Sequence, residues 1–477
     1  ALPLSHIFTI SFNSQQVPDD WKHAHVKPLF KNGVASDPNN YRSISLTSTC
    51  CRVMERIINK ELIDYLLDKS LVSKEQHGFI RRRSTCSNLL EYLQDLILSI
   101  DNKHVMDFIS IDFKKAFDQV SHNIFLMKLN SYGITGDLYG WIKSFLSNRT
   151  QAVKLDGCLS SVIAILSGVP QGSVLGPILF VLFINDLVDC FKNLAVSTKL
   201  FADDLKLYTS YGLTDSSCDL TEALHRVTVW AKKWQLTINS TKCNVLRIVN
   251  PRCKNKSDIV YDLNGSSLKV LSVVKDLGVA VDKNLRFDNH ISSVVHKSLQ
   301  RANLILKCFQ SRDRSLLMKA FKVYVRPLLE YATPVWSPHF MYLILKIEHV
   351  QRSFTKRLFG LKNLTYIDRL KQLEIDTLER RRLIYDLCTC FKIIHGYNDT
   401  CLDMNRMHLE GRPNNTRGHN LKLAKEMCRT DMLRFFFCNR ICTVWNSLPL
   451  DVVNAPSVNS FKKRVSKFNL DRFLTLK

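Results

Sequence analysis

The stretch STKLFADDLKLYTS (Ser197–Ser210) sets two aspartates side by side between two apolar-patterned runs. Leu200, Phe201 and Ala202 lead in, and Leu205, Lys206, Leu207 and Tyr208 alternate on the way out. That is the pattern of two short strands around a turn, and it predicts a β-hairpin with Asp203-Asp204 at its tip. Such a pair on its own is ordinary turn chemistry, because Asp bonds its own backbone and tolerates turn geometry. It is half of a metal site only if other acidic groups reach the same edge.

A third carboxylate is available. DFISIDF (Asp107–Phe113) is short, β-branched and aromatic, the signature of a buried strand, and Asp112 sits at its end. If strand and hairpin share a sheet, three carboxylates meet. They would repel one another without cations, and they suit Mg²⁺, which takes oxygen ligands together with waters and substrate phosphates. Two such ions can clamp the attacking and leaving oxygens of a phosphoryl transfer. Between the acidic positions lies LSGVPQGSVLGPILF (Leu166–Phe180). Its glycines and prolines make a rigid turn that lets backbone approach a ligand, with Gln171 offering an amide there. Ahead of Asp112, HGFIRRRST (His77–Thr85) carries three consecutive arginines, which read either as phosphate contacts or as a solvated charge run.

The bulk composition agrees with a polyanionic partner. The 477 residues carry 67 Lys+Arg against 43 Asp+Glu, a formal charge of +24, and phosphate contacts dominate nucleic-acid affinity. The basic residues run along the whole chain, unlike the juxtamembrane cluster of a lipid binder. Hydrophobic content of 45% is enough for a buried core. The longest apolar run, VLGPILFVLFI (Val174–Ile184), is too short for a bilayer and contains Gly and Pro, so no membrane is expected. The 15 cysteines read as reduced intracellular thiols; Cys388 and Cys390 stand too close together for a zinc site, and Cys438/Cys442 have no matching His pair. Opening on what looks like mid-protein sequence, the chain is expected to be a piece of a longer polyprotein.

Residues 1–50 read as loop-rich, punctuated by Pro18, Pro28, Gly33 and Pro38. Helical spacing follows over 51–67 and 87–100, and Ser121 is placed to open a helix over 122–131 that Gly133 ends. An apolar helix is expected around 176–188 and another over 216–234. A strand over 243–249 precedes a second short hairpin, VVKDLGVAVDK. Beyond residue 285 the pattern becomes all-helical, over 290–310, 315–331, 341–359 and 366–395, and residues 415–477 mix apolar and basic residues around a VWNSLP turn.

Taken in order, these blocks resemble the reverse transcriptase of non-LTR (LINE-type) retrotransposons, of the jockey/CR1-like kind. YRSISLTSTCCRVMERIINKEL and QHGFIRRRSTCSNLL resemble its fingers blocks. FISIDFKKAFDQVSH and KLFADDLKLY resemble its catalytic blocks, and LSGVPQGSVLGPILFVLFINDL the substrate-side block. WAKKWQLTINSTKCNVL and VVKDLGVAVDKNLRF are similar to the palm-closing blocks. LLMKAFKVYVRPLLEYATPVW and LERRRLIYDLCTCFKIIHG are similar to the thumb and C-terminal region.

The resemblance implies an α+β right-hand polymerase fold. Fingers and palm with an antiparallel sheet would occupy 1–288 (core match 18–288), a helical thumb 289–362, and a helical basic C-terminal region 363–477. It implies an RNA-directed DNA polymerase that extends a primer 3′-OH on an RNA template with dNTPs, in target-primed reverse transcription. Two Mg²⁺ ions would serve it, with Mn²⁺ a substitute. The alternatives are a decayed or domesticated nucleic-acid-binding relic and an intron-maturase-like RNA binder. Synthesis in the cytoplasm and action in the nucleus would follow, and a DNA primer or target would be a partner.

By position Asp112 and Asp203 match the metal-holding aspartates, Asp204 the third acid, and the Phe113 carbonyl a further ligand. Phe117 matches the aromatic gate against a ribose 2′-OH. Gln171 and Gly172 match the residues against the incoming nucleotide, and Lys242 the group that protonates or stabilises the pyrophosphate. Leu277 and Gly278 match the primer grip. Arg81 and Arg83 are the expected triphosphate contacts, joined by Lys31. Asp118 and His122, four apart at the start of a helix, are expected to serve capping and local hydrogen bonding. The chain departs from the family pattern at Ser43, which replaces a proline. It departs again at Ile80 and Arg82, which replace an arginine and a glycine, and at Leu205 in place of threonine.

Overall fold

The computed structural model describes residues 2–212, 218–249, 259–400, 402 and 419–476. Its centre is a five-stranded sheet in the order Lys269–Leu271, Asn244–Ile248, Val105–Ile111, Asp204–Tyr211, Ser197–Phe201. The expected buried strand is the middle one. Antiparallel neighbours lie on both sides of it, and nearly every residue along it is buried, which accounts for its mostly apolar make-up. The expected helix from 216 is described from Cys218 onward, and that between Thr85 and Asp101 is closed at its start by a Ser84/Ser87 capping box. Both pack on this sheet, as do the Leu- and Phe-rich Gly176–Ile184 helix and its neighbours.

The first 50 residues correct the loop-rich expectation. They hold a helix (Leu2–Asn13) and two strands, His23–Phe30 and Tyr41–Leu46, which pair antiparallel. These strands form a second sheet with Arg149–Leu155, which adds in parallel against His23–Val26. Pro28 misled the reading. It faces Ser43 in the pairing, but the parallel partner ends at Val26, so the strand edge beside Pro28 is free and no ladder hydrogen bond is lost there.

After Asp288 the chain is helical, as expected. Helices Asp288–Cys308, Met341–Lys356 and Leu378–Ile394 pack on one another and, through Phe321, Trp336, Phe354 and Phe391, share one apolar core with the back of the central sheet. That core runs across residue 362 without interruption. The single helix expected over 366–395 is two, Tyr366–Leu373 and Leu378–Ile394, broken where Glu374 takes a left-handed φ of 50°. Trp445, in the VWNSLP segment, is fully buried and lies 6.0 Å from the Phe461 ring; residues 415–418 of that region lie outside the described residues. The cysteines whose side chains are described, Cys218 not among them, are free thiols. No described helix is long and apolar enough to cross a membrane.

Candidate active site

Register brings the acidic residues together. Ile111 faces Leu205 in the antiparallel pair, so Asp112, one step on, arrives level with Asp204. The hairpin tip differs slightly from expectation. Phe201 pairs with Asp204, which leaves Ala202-Asp203 as the turn and Asp204 as the first residue of the returning strand. Ala202 carries the strain, with φ 55°, a left-handed value that non-glycine residues rarely adopt.

All three aspartates line one cavity of about 910 Å³. Its wall also contains Lys31, Arg42, Phe113, Phe117, Gln171, Gly172, Asn239, Lys242 and Leu277. Asp112 is anchored by the Thr237–Lys242 loop. Asn239 N–H donates to its carbonyl (2.8 Å) and Asn239 Nδ2 to its carboxylate (3.1 Å), while Lys242 Nζ stands 3.8 Å from the same carboxylate. By surface area Asp203 is half-buried and Asp204 exposed, yet the protein packed around both partly desolvates them. Burial, Asp112 and, for Asp204, the neighbouring Asp203 and Asp276 disfavour their charged forms. The Asp204 carboxyl is pushed up to about 6. This is an excess of negative charge that invites a cation.

The donor set fits a hard divalent ion of the kind that keeps waters and substrate oxygens. Among the described residues no three Asp, Glu, His or Cys side chains close tightly enough to hold an ion unaided, and Mg²⁺ typically needs only one or two carboxylates from the protein.

The Gly/Pro loop is built for close approach. Gly172 has φ 117°, and a Cβ there would lie 2.4 Å from the Ser45 carbonyl oxygen. Ser45 N–H donates to the Gln171 carbonyl at 2.7 Å, and this contact ties the loop to the second-sheet strand Tyr41–Leu46, which carries Arg42. Gln171 Nε2 donates to Asp118 Oδ1 (2.9 Å), and the His122 ring nitrogen Nε2 meets the Gly168 carbonyl (2.8 Å). Asp118 and His122 therefore bond across to the Gly168–Gly172 loop instead of capping the His122–Ser131 helix, whose N-cap is Ser121. Phe117 stacks on Phe180, ring centroids 4.1 Å apart, which fixes its plane at the cavity wall. Leu277 reaches the cavity from the tip of the hairpin Val273–Asp276/Val279–Asp282. Gly278 turns that tip at φ 87° beside the Tyr331 ring.

Arg81 and Arg83 are not brought there. Arg81 pairs with Asp64, and Arg83 donates to the carbonyls of Ser73, Lys74 and Gln76. Ile80, in the place where the family pattern has an arginine, is buried. The cations facing the cavity are instead Lys31, Lys114, Lys115 and Lys242 with Arg42, and Lys31 and Arg42 act electrostatically on Asp203. Arg42 escaped the sequence reading because it follows the loop-like Pro38–Tyr41. Asn239 and Gln76 escaped it because an uncharged amide gives no signal until the backbone it serves is known.

The family "Reverse transcriptase (RNA-dependent DNA polymerase)" matches residues 29–281. The "Probable RNA-directed DNA polymerase from transposon BS" of Drosophila melanogaster is 29% identical over 354 residues, 70% of this chain and 38% of that protein. The "RNA-directed DNA polymerase from mobile element jockey" of Drosophila melanogaster is 28% identical over 367 residues, covering 75% of this chain and 40% of that protein. This chain thus spans about two fifths of the length of these relatives. Among solved structures, apo telomerase from Candida tropicalis matches with a TM-score of 0.43 and 14% identity, over 83% of this chain and 67% of that one.

Proposed function

The chain belongs to the reverse transcriptase family, and we propose that its cavity extends a primer 3′-OH on an RNA template with dNTPs. Members of this family generally use divalent metal ions. Here Asp112, Asp203 and the Phe113 carbonyl would hold two Mg²⁺, with Asp204 as the third acid. When bound, such ions acidify the 3′-hydroxyl and neutralise the triphosphate and leaving pyrophosphate.

The chain's own residues supply the rest. Gln171 and Gly172 present amide and bare backbone to the incoming nucleotide, and Lys31 and Arg42 meet its phosphates. Phe117, held flat against Phe180, occupies the space a ribose 2′-OH would need. As the 3′-oxygen bonds to the α-phosphorus, the bond to pyrophosphate breaks and Lys242 offers a proton or positive charge to the leaving oxygen. Leu277 and Gly278 seat the primer end. Residues 289–362 would act as thumb and 363–477 as a basic flank, tracking the duplex by phosphate and shape rather than by sequence. Serving a retrotransposon, this activity would copy element RNA at a nicked nuclear DNA target.

A single observation carries the reading. Three aspartates, the Gln171 loop, Phe117, Lys242 and Leu277, scattered over 166 positions of sequence, line one cavity. The test supplies purified chain with an RNA template, an annealed DNA primer, dNTPs and Mg²⁺. Extension into alkali-resistant complementary DNA supports the proposal. Binding of primer–template without extension supports a nucleic-acid-binding relic.

A further inference from the structure

We propose that Gln76 is a positioning residue that sets the metal-holding hairpin through its turn; this rests on reading Asp203 as a metal ligand. Ser197–Phe201 is the outer strand of the central sheet, and its free edge is covered by Glu75–Gly78. Leu200 N–H donates to the Glu75 carbonyl, and His77 N–H to the Leu200 carbonyl, both at 2.9 Å. Gly78 presses directly on the tip, since a Cβ on it would stand 2.4 Å from Ala202 N.

Gln76 completes this seat. Its side chain is fully buried, and its Oε1 accepts the N–H of Ala202 at 2.9 Å and of Gly78 at 2.8 Å. Only an oxygen can accept two N–H groups, so the amide's orientation is determined. Ala202 is buried, left-handed and next to Asp203. Without Gln76 its N–H would be an orphan at the most strained residue of the turn, and the turn would relax to satisfy it. The residue that relaxation displaces is Asp203. Gln76 touches no aspartate, so its effect passes through backbone alone.

The test compares wild type with Gln76→Met, which keeps the volume and loses the acceptor, and with Gln76→Glu, which restores an oxygen. Each is bound to primer–template. Mn²⁺ binding is read by electron paramagnetic resonance, and exchange of the Ala202 amide by mass spectrometry. The proposal expects Gln76→Met to bind Mn²⁺ about tenfold more weakly, the effect of roughly one lost buried hydrogen bond. It expects faster exchange at Ala202 and a higher Mg²⁺ midpoint for extension, with Gln76→Glu recovering most of each. Should Gln76→Met not fold, Gln76→Asn, whose amide is withdrawn by one methylene, is read in the same way. Unchanged Mn²⁺ affinity in a folded variant, or a loss confined to thermal stability, overturns the proposal. Failure of the underlying reading shows separately, as wild type binding Mn²⁺ no better than Asp203→Ala.

Discussion

Lys206, two residues beyond Asp204, is buried with its ammonium 2.6 Å from the carboxylate of Asp276. Asp276 immediately precedes Leu277, so this ion pair fastens the acidic hairpin to the hairpin that would hold the primer end. The ammonium also lies 4.5 Å from the Tyr92 ring centre. Breaking a buried pair leaves an uncompensated charge, at about 3–5 kcal/mol. Asp276→Asn should therefore cost about 3 kcal/mol in denaturant unfolding, and Lys206→Met with Asp276→Leu should recover most of it. A single-variant loss under about 1 kcal/mol would show that the two hairpins are fastened elsewhere.

Arg42 on its strand and the arginines of the 81–83 loop divide by partner. Arg42→Ala should raise the KM for dNTP, because Arg42 faces the cavity. Arg81→Ala removes an exposed pair with Asp64 and should leave that KM unchanged at a stability cost below about 1 kcal/mol. Arg83→Ala strips a donor from three backbone carbonyls and should cost about 2 kcal/mol of stability. Steady-state kinetics with thermal melts distinguish these outcomes. A KM rise for Arg81→Ala with none for Arg42→Ala would reverse the assignment.

As the proposed gate against a ribose 2′-OH, Phe117 would block by volume. Phe117→Ala should bring the kcat/KM values for ribonucleotides and deoxyribonucleotides closer together while primer–template affinity holds. Single-nucleotide incorporation measures this directly, and unchanged discrimination would place the gate on another group.

The raised pKa values of Asp203 and Asp204 carry a pH signature. A carboxyl whose folded pKa lies above its unfolded value binds more protons in the folded state. Stability from this source is then present at low pH and lost as pH rises from about 4 through the folded value, about 6 for Asp204. A divalent ion relieves the same repulsion. Mg²⁺ should thus raise the melting temperature more at pH 8 than at pH 5, and Asp204→Asn should raise the metal-free melting temperature at pH 8 while shrinking the Mg²⁺ effect. Equal Mg²⁺ effects at both pH values would mean that the ion binds away from these acids.

Much of this was legible in sequence where chemistry and period coincide. The Val105–Ile111 strand, the acidic hairpin and the Gly172 loop each have a local signal, namely an apolar run, alternation, or a φ that favours glycine. The register that levels Asp112 with Asp204 comes from the pairing of Val105–Ile111 with Asp204–Tyr211, which a shared sheet alone does not determine. What was not legible depends on long-range partners. RRR at 81–83 reads the same whether it meets phosphate or Asp64 and backbone carbonyls. The choice is made by the left-handed turn at Arg82, φ 61°, and by carbonyls folded back from residues 73–76. The second sheet was hidden by Pro28, and its parallel strand comes from more than 120 residues away.

The central claim is that Asp112 and Asp203 hold the ions of a polymerase. Its most direct measurement is incorporation of a single dNTP on an RNA template, by wild type, Asp112→Asn and Asp203→Asn, at matched primer–template occupancy in Mg²⁺. The predicted result is incorporation by wild type and none by either variant, with all three bound equally. Incorporation by either variant at the wild-type rate would contradict the account.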